Sequence, residues 1–535
     1  MKFTGTTQLF CMLTLVLATA CTTKKENTSS STHLGSIEHG FRISDAAKRD
    51  FEEGLLLLHS FEYEDANEAF RKAQTADDQE IMVYWGLAMT HYKALWGLQD
   101  VEAGRAVIAE WDSVRNENVE VSDLELGFWK GVELLYGDGE LKERNQQYSA
   151  HMKQLYEENP NNLEVAAFYS LGLMWADYSD EENLRLSSQI AAGIMEENPT
   201  HPGALHYMIH ANDNPEFAKV AINAADRYAA IAPDATHALH MPSHIYVALG
   251  MWNEVVRSNT ASYAASINRM ERKGLDGTNR GYHSMAWLHY GLLQQGKYDE
   301  AVALLKEMIG YYQEGEGSDS YLINMQNQQR IESGYWPKDV TIQHVDDSGL
   351  GLESKSAIHF VRSLIAFDNQ DVQTIQNEKD TLTNHLEAAK LLIGDDGVAM
   401  CSAGTTRYAP SESSIKKTQV VIKQMNALIA MLENDSQQVE SELKLATELE
   451  LDSRYDPGPP FIAYPSFEMY GDWLLDQERF EDALEQFDIS LERRTNRMKA
   501  MKGKLAALKA LERNEEAEEL QQLINQFATT LVAAI

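Results

Sequence analysis

Two pairs of histidines, set one repeat apart, constrain this chain more than any other feature. Between residues 201 and 244 the sequence reads H-P-G-A-L-H-Y-M-I-H-A-N-D-N-P, a helical run, then T-H-A-L-H-M-P-S-H-I-Y. Six of the sixteen histidines fall here: His201, His206, His210, His237, His240 and His244. His206 and His210 stand four apart, as do His240 and His244, and the second pair repeats the first after 34 residues. A spacing of four puts each pair on one helix face. A 34-residue recurrence belongs to stacked helical hairpins, in which equivalent positions of neighbouring units lie side by side.

The same register runs through much of the chain. From about residue 44 nearly everything reads as helix; prolines number only 12 in 535 residues, and strand-like alternation is scarce. With Ala47 as position 1, Gly54 falls at 8, Ala66 at 20, Phe70 at 24 and Ala73 at 27. These are the places where two touching helices need a small residue or a core aromatic. Counting from Pro202, Pro233 falls at 32; from Thr236, Gly250 falls at 15 and Trp252 at 17. The unit from Tyr282 puts Gly296 at 15, and near the end Gly471, Ala483 and Phe487 take positions 8, 20 and 24. The expected fold is all-α, a TPR-like (tetratricopeptide) α-solenoid. Its expected parts are a first array over 44–311 with the His-rich repeats at 201–262, then an irregular connection and helical hairpins over 312–454. A second array follows over 455–535. The polar stretch 312–356 reads as a long connection with short helices.

The first residues read as a targeting segment. Lys2 precedes an apolar run from Leu9 to Ala18, too short to span a membrane, and A-T-A-C ends it at Cys21. This resembles a bacterial lipobox, with Ala18 where leucine is usual. Residues 1–21 are then a lipoprotein signal with Cys21 the lipidated residue, and 22–43 a flexible tether. The expected location is outside the cytoplasm, lipid-anchored, on an outer membrane facing periplasm or surface. Acidic residues outnumber basic ones, 82 to 46, for a net charge of −36, which argues against nucleic acid and against anionic membrane surfaces as partners. Membrane contact is expected through the lipid anchor alone. Cys11, Cys21 and Cys401 cannot make a disulfide framework for the body.

In repeat numbering His206 and His240 take position 5, His210 and His244 position 9, and His237 and His283 position 2. Asp213 takes position 12. These positions lie on the first helix of each unit, the face that lines a concave groove. Imidazoles in such a groove suit a divalent transition metal, zinc or copper among them, with an open coordination place for water or substrate. Rings that only stack or bond to one another are the plainer alternative. Without metal, neutral histidines beside Asp213 form a general acid/base set. His201 is a further candidate. Glu468 and Asp472, at positions 5 and 9 of the distant last array, approach the histidines only if the solenoid closes on itself; a solvated acidic face is their plainer reading. Trp85, Trp96, Trp129 and Trp175 read as core, as do His91 and His289, and Cys401 as structural. There is no phosphate-cradling glycine loop and no G-x-S-x-G.

The blocks F-E-E-G-L-L-L-L-H-S-F, H-P-G-A-L-H-Y-M-I-H-A-N-D, H-A-L-H-M-P-S-H-I-Y-V-A-L-G-M-W and G-P-P-F-I-A-Y-P-S-F-E-M-Y-G resemble a bacterial family of exported TPR proteins. The resemblance covers about residues 35–310 and 455–530. It implies the solenoid and carries over His201, His206, His210, Asp213, His237, His240, His244, His283 and Glu468 as its site positions. One departure is Ala286, where that family often has Asp. The broad expectation is a binding or scaffold module taking a protein, peptide or small-molecule ligand in its groove. The rivals are a hydrolytic or oxidative metal-dependent enzyme using the histidines with Asp213 or Glu468, and metal handling without catalysis.

Overall fold

A computed structural model describes residues 33–529, except 94, 96–97, 117, 394–409 and 454. The targeting segment with Cys11 and Cys21, residues 22–32 of the tether, Trp96 and Cys401 lie outside the described residues. Helices follow one another in antiparallel hairpins, Lys48–His59 with Tyr63–Ala76, Leu163–Ala176 with Glu181–Glu197, Pro202–Ala211 with Ala218–Ile231, and on to Ser466–Asp476 with Phe480–Arg493. A two-residue antiparallel ladder, Tyr92–Lys93 against Leu98–Gln99, is the sheet among the described residues. The fold is an all-α, TPR-like solenoid. Among the described residues no helix is long and apolar enough to cross a membrane.

The repeat register acts through contact. A Cβ on Gly54 would stand 2.8 Å from the Phe70 ring, and one on Gly471 2.7 Å from Phe487, so positions 8 and 24 press together in both arrays. Position 15 is the left-handed residue that ends the first helix and turns the chain into the second. Gly250 and Gly296 hold it at φ of 64° and 72°, and Phe61, Glu478 and Glu512 at 56°, 57° and 58°.

The structure differs from expectation over 312–356. A 15-residue helix, Asp319–Ser333, fills part of the supposed connection, and its Gln326, Asn327, Gln328, Gln329 and Glu332 are buried. Polar composition reads as surface unless the partners are known. Here Gln329 Oε1 lies 3.1 Å from His289 Nε2, and Glu332 faces the buried guanidinium of Arg497 at 2.6 Å.

That guanidinium belongs to the last array, which returns to the histidine-bearing units. Trp252 Nε1 donates to the Asn496 carbonyl at 2.8 Å, and Met498 N donates to Gln294 Oε1 at 2.8 Å. Met498, Met501 and Leu508 join the same hydrophobic core as Tyr228 and Trp252. Burying such side chains is worth roughly 1.5–3 kcal/mol each.

Burial holds His289 down to about 4. Its folded value lies below the 6.5 of the unfolded chain, so its contribution is complete above pH 6.5 and is lost as pH falls toward 4. Between pH 7 and pH 4.5 the natural chain should lose roughly 2–3 kcal/mol more than a His289→Gln variant. Urea titrations of both chains at the two pH values check this, and equal losses would refute it.

Candidate metal centre

The six histidines at positions 2, 5 and 9 form two sets of three. His206 Nε2 lies 3.1 Å from His210 Nε2 and 3.1 Å from His237 Nε2. His240 Nε2 lies 3.1 Å from His244 Nε2 and 2.9 Å from His283 Nε2. Within each set the three donor atoms all fall within 4.8 Å of one another. Each set therefore takes positions 5 and 9 from one unit and position 2 from the next. The sets adjoin: the rings of His210 and His244 are 6.0 Å apart, and those of His237 and His240 are 6.2 Å apart.

Local sequence explains the placement. His206 and His210 ride on Pro202–Ala211, started by Pro202 and capped by His201, whose Nδ1 accepts from Ala204 N. Pro242 divides Thr236–His240 from Pro242–Ala248, yet His240 and His244 still meet across the break. His283 begins the helix Tyr282–Gln294.

The outer ring nitrogens fix the tautomers. A carbonyl only accepts, so His206 Nδ1 must donate to the His59 carbonyl at 2.7 Å. Likewise His240 Nδ1 donates to Asn259 Oδ1 at 2.7 Å, since the Asn259 amide nitrogen is spent on the Val255 carbonyl. His244 Nδ1 donates to Asp213 Oδ2 at 2.5 Å. His283 Nδ1 meets the Tyr321 hydroxyl at 3.0 Å. With Nδ1 turned outward on His206, His240 and His244, all three Nε2 atoms face inward. A carboxylate, amide or carbonyl behind the imidazole is the arrangement that orients metal-ligating histidines.

Burial, reinforced by the neighbouring rings, holds His206, His210, His237 and His240 well below the ordinary histidine range. They stay neutral and able to donate lone pairs. His206 and His240 are buried, and the other four are half-buried, so the centre has an open side. Phe61 stacks on His210 and His237 at 5.9 and 5.6 Å, and Trp287 lies 4.5 Å from His244 and 4.8 Å from His240. A bulky residue at positive φ is uncommon, and Phe61 spends that conformation on walling the first set.

The other sequence candidates lie elsewhere. His201 Nε2 meets Glu164 Oε1 at 3.2 Å, and His59 Nε2 meets Glu164 Oε2 at 2.7 Å, all three fully buried. The Glu164 carboxyl is held low despite its burial, because His59 and His201 face it. Gly203 admits this group: a Cβ there would stand 2.4 Å from the His59 ring. Asp213 supports His244 rather than facing the sets' inner nitrogens, and its Oδ1 is buried with no hydrogen-bond partner among the described residues. Glu468 is not on a solvated face; it is completely buried, with Oε1 2.6 Å from Arg497 Nε. Asp472 pairs with Lys499 at 2.8 Å and with the Tyr464 hydroxyl at 2.5 Å. Neither carboxylate joins the histidines.

Sequence reasoning passed over His59, Asn259, Tyr321 and Trp287. His59 and Phe61 stand in the F-E-E-G block, where their shared motif was a usable signal. Asn259 and Tyr321 carried none, for single polar residues on helices have no distinguishing period.

No family model matches this chain, and no curated protein matches it. Among solved structures, the TPR domain of P58(IPK) aligns at 10% identity and a TM-score of 0.19, over 88% of this chain and 99% of that one. A structure of Naa15/Naa10 bound to HypK-THB aligns at 12% identity and a TM-score of 0.24, over 90% and 70%. Overlap this slight bears on neither ligand nor partner.

Proposed function

We propose that this chain is an exported, acylated TPR-like scaffold whose histidine centre holds two divalent transition-metal ions, one per set. The contact between His240 and His244 carries the metal reading. Both rings commit Nδ1 outward, so their Nε2 atoms, the ligand positions of neutral imidazoles, meet at 3.1 Å. Two imidazole nitrogens held this close need a proton or a cation between them, and a bound metal ion supplies the cation. Nitrogens bound to one tetrahedral ion at roughly 2.0–2.1 Å stand about 3.3–3.4 Å apart, close to these spacings. An all-imidazole donor set suits copper or zinc, and copper(II) is the tighter binder of the divalent series.

Chelator-stripped protein exposed to Zn²⁺ or Cu²⁺ and dialysed should retain two ions that a His206→Ala/His240→Ala chain does not. Metal content that is the same in both chains would leave a scaffold without metal at this centre. Three imidazoles leave a coordination place on each ion, and the half-buried rings give it an approach. That favours, as the second reading, a hydrolytic or oxidative enzyme acting on a small molecule or peptide. On this reading Asp213 orients His244, and Glu468 takes no part.

The scaffold role follows the use TPR-like arrays make of their concave surfaces, with protein or peptide as partner. Export and anchoring rest on Lys2, the apolar run and Cys21. A Cys21→Ala chain should leave the membrane fraction, and one that still sediments with membranes would end this part of the reading.

A further inference from the structure

We infer a second metal site, separate from the histidine centre, built by Asp347, His359 and His385. His359 lies on the helix Leu352–Asp368 and His385 on the helix Val372–Lys390, which pack as a hairpin. Asp347 comes from the irregular chain just before them. His385 Nε2 stands 3.4 Å from Asp347 Oδ2, and His359 Nε2 stands 3.7 Å from the same oxygen. The three donor atoms fall within 4.8 Å of one another.

The decisive atom is His359 Nε2. The ring is only 3% exposed, and this nitrogen is buried with no hydrogen-bond partner among the described residues. Its other nitrogen is committed, for Nδ1 donates to Glu378 Oε2 at 2.6 Å. In the neutral ring Nε2 is then a bare lone pair aimed at a carboxylate, two acceptors across a gap too wide for a hydrogen bond. Glu378 behind His359 completes a carboxylate–histidine–metal arrangement, and Arg362, 3.8 Å from Glu378, balances part of its charge.

Two imidazole nitrogens and one carboxylate oxygen suit a zinc-class divalent ion. Asp347 and His385 are about 30% exposed, so one coordination place faces solvent and takes water. The ion ties the irregular chain around 347 to the hairpin that follows.

The test uses the full chain, stripped of metal and equilibrated with Zn²⁺. Asp347→Asn and His385→Gln each alter a partly exposed residue and should each lower bound zinc by one ion per chain. The ions that depend on His206 and His240 should stay, so this inference and the reading of the histidine centre fail separately. Glu378→Gln keeps every donor and should weaken that one ion's binding about 10–100-fold. Zinc content unchanged in both Asp347→Asn and His385→Gln would overturn the proposal and leave His359 as a core histidine held by Glu378. Loss of zinc in both, with the metal-free chains melting as the natural one does, supports it.

Discussion

Arg497→Ala should cost about 3–5 kcal/mol of folding stability, the penalty for stripping one partner from a buried ion cluster. The guanidinium is completely buried between Glu468 and Glu332, at 2.6 Å from each. It also donates to the Tyr290 hydroxyl at 2.9 Å and the Ala463 carbonyl at 3.0 Å. One cation thus serves a histidine-bearing unit, the polar helix Asp319–Ser333 and the last array at once. Two carboxylates share a single positive charge in a dry place, and burial pushes Glu468 up to about 7. The guanidinium, facing both acids, stays charged. Without it both acids must take protons or water. Urea titrations at neutral pH measure the loss. A triple variant, Arg497→Met with Glu332→Leu and Glu468→Leu, removes the charges together and should lose less than Arg497→Ala alone. An Arg497→Ala chain within 1 kcal/mol of the natural one would show that the cluster does not hold the arrays together.

His206→Ala and His240→Ala should each remove one bound ion and spare the other. Each histidine is the hinge of its set, its Nε2 touching both partners. Each deletion leaves two half-buried imidazoles, too few for tight retention against dialysis. Metal analysis of the two single variants and the double variant should read one, one and none at this centre. Asp213→Asn keeps every donor and should weaken only the ion held by His240, His244 and His283, by about 10–100-fold. Loss of both ions in either single variant would mean one shared ion rather than two.

Much of this was legible in the sequence. The 34-residue step predicted the hairpins, and the spacing of four predicted the contacts of His206 with His210 and His240 with His244. Naming positions 2, 5 and 9 picked out all six rings, although not their division into threes, because the hand and pitch of stacking decide which unit's position 2 meets which position 5. Glu468 was misjudged for a different reason. Its partner Arg497 lies 29 residues on, and its burial depends on a return of the chain that no local pattern encodes. The helix Asp319–Ser333 hid in the same way, its glutamines polar by composition and interior by circumstance.

Because each set straddles the boundary between neighbouring hairpins, binding places are counted by seams and not by units. Two consecutive units carry histidine at positions 5 and 9, and the third supplies only His283, with Ala286 and Tyr290 where the next pair would stand. On the other side, position 2 of the first unit is Gly203, given over to the His59 ring. The row is therefore closed at both ends. Inserting one more copy of the central hairpin would lengthen it by one binding place, as adding a bay extends an arcade by one arch.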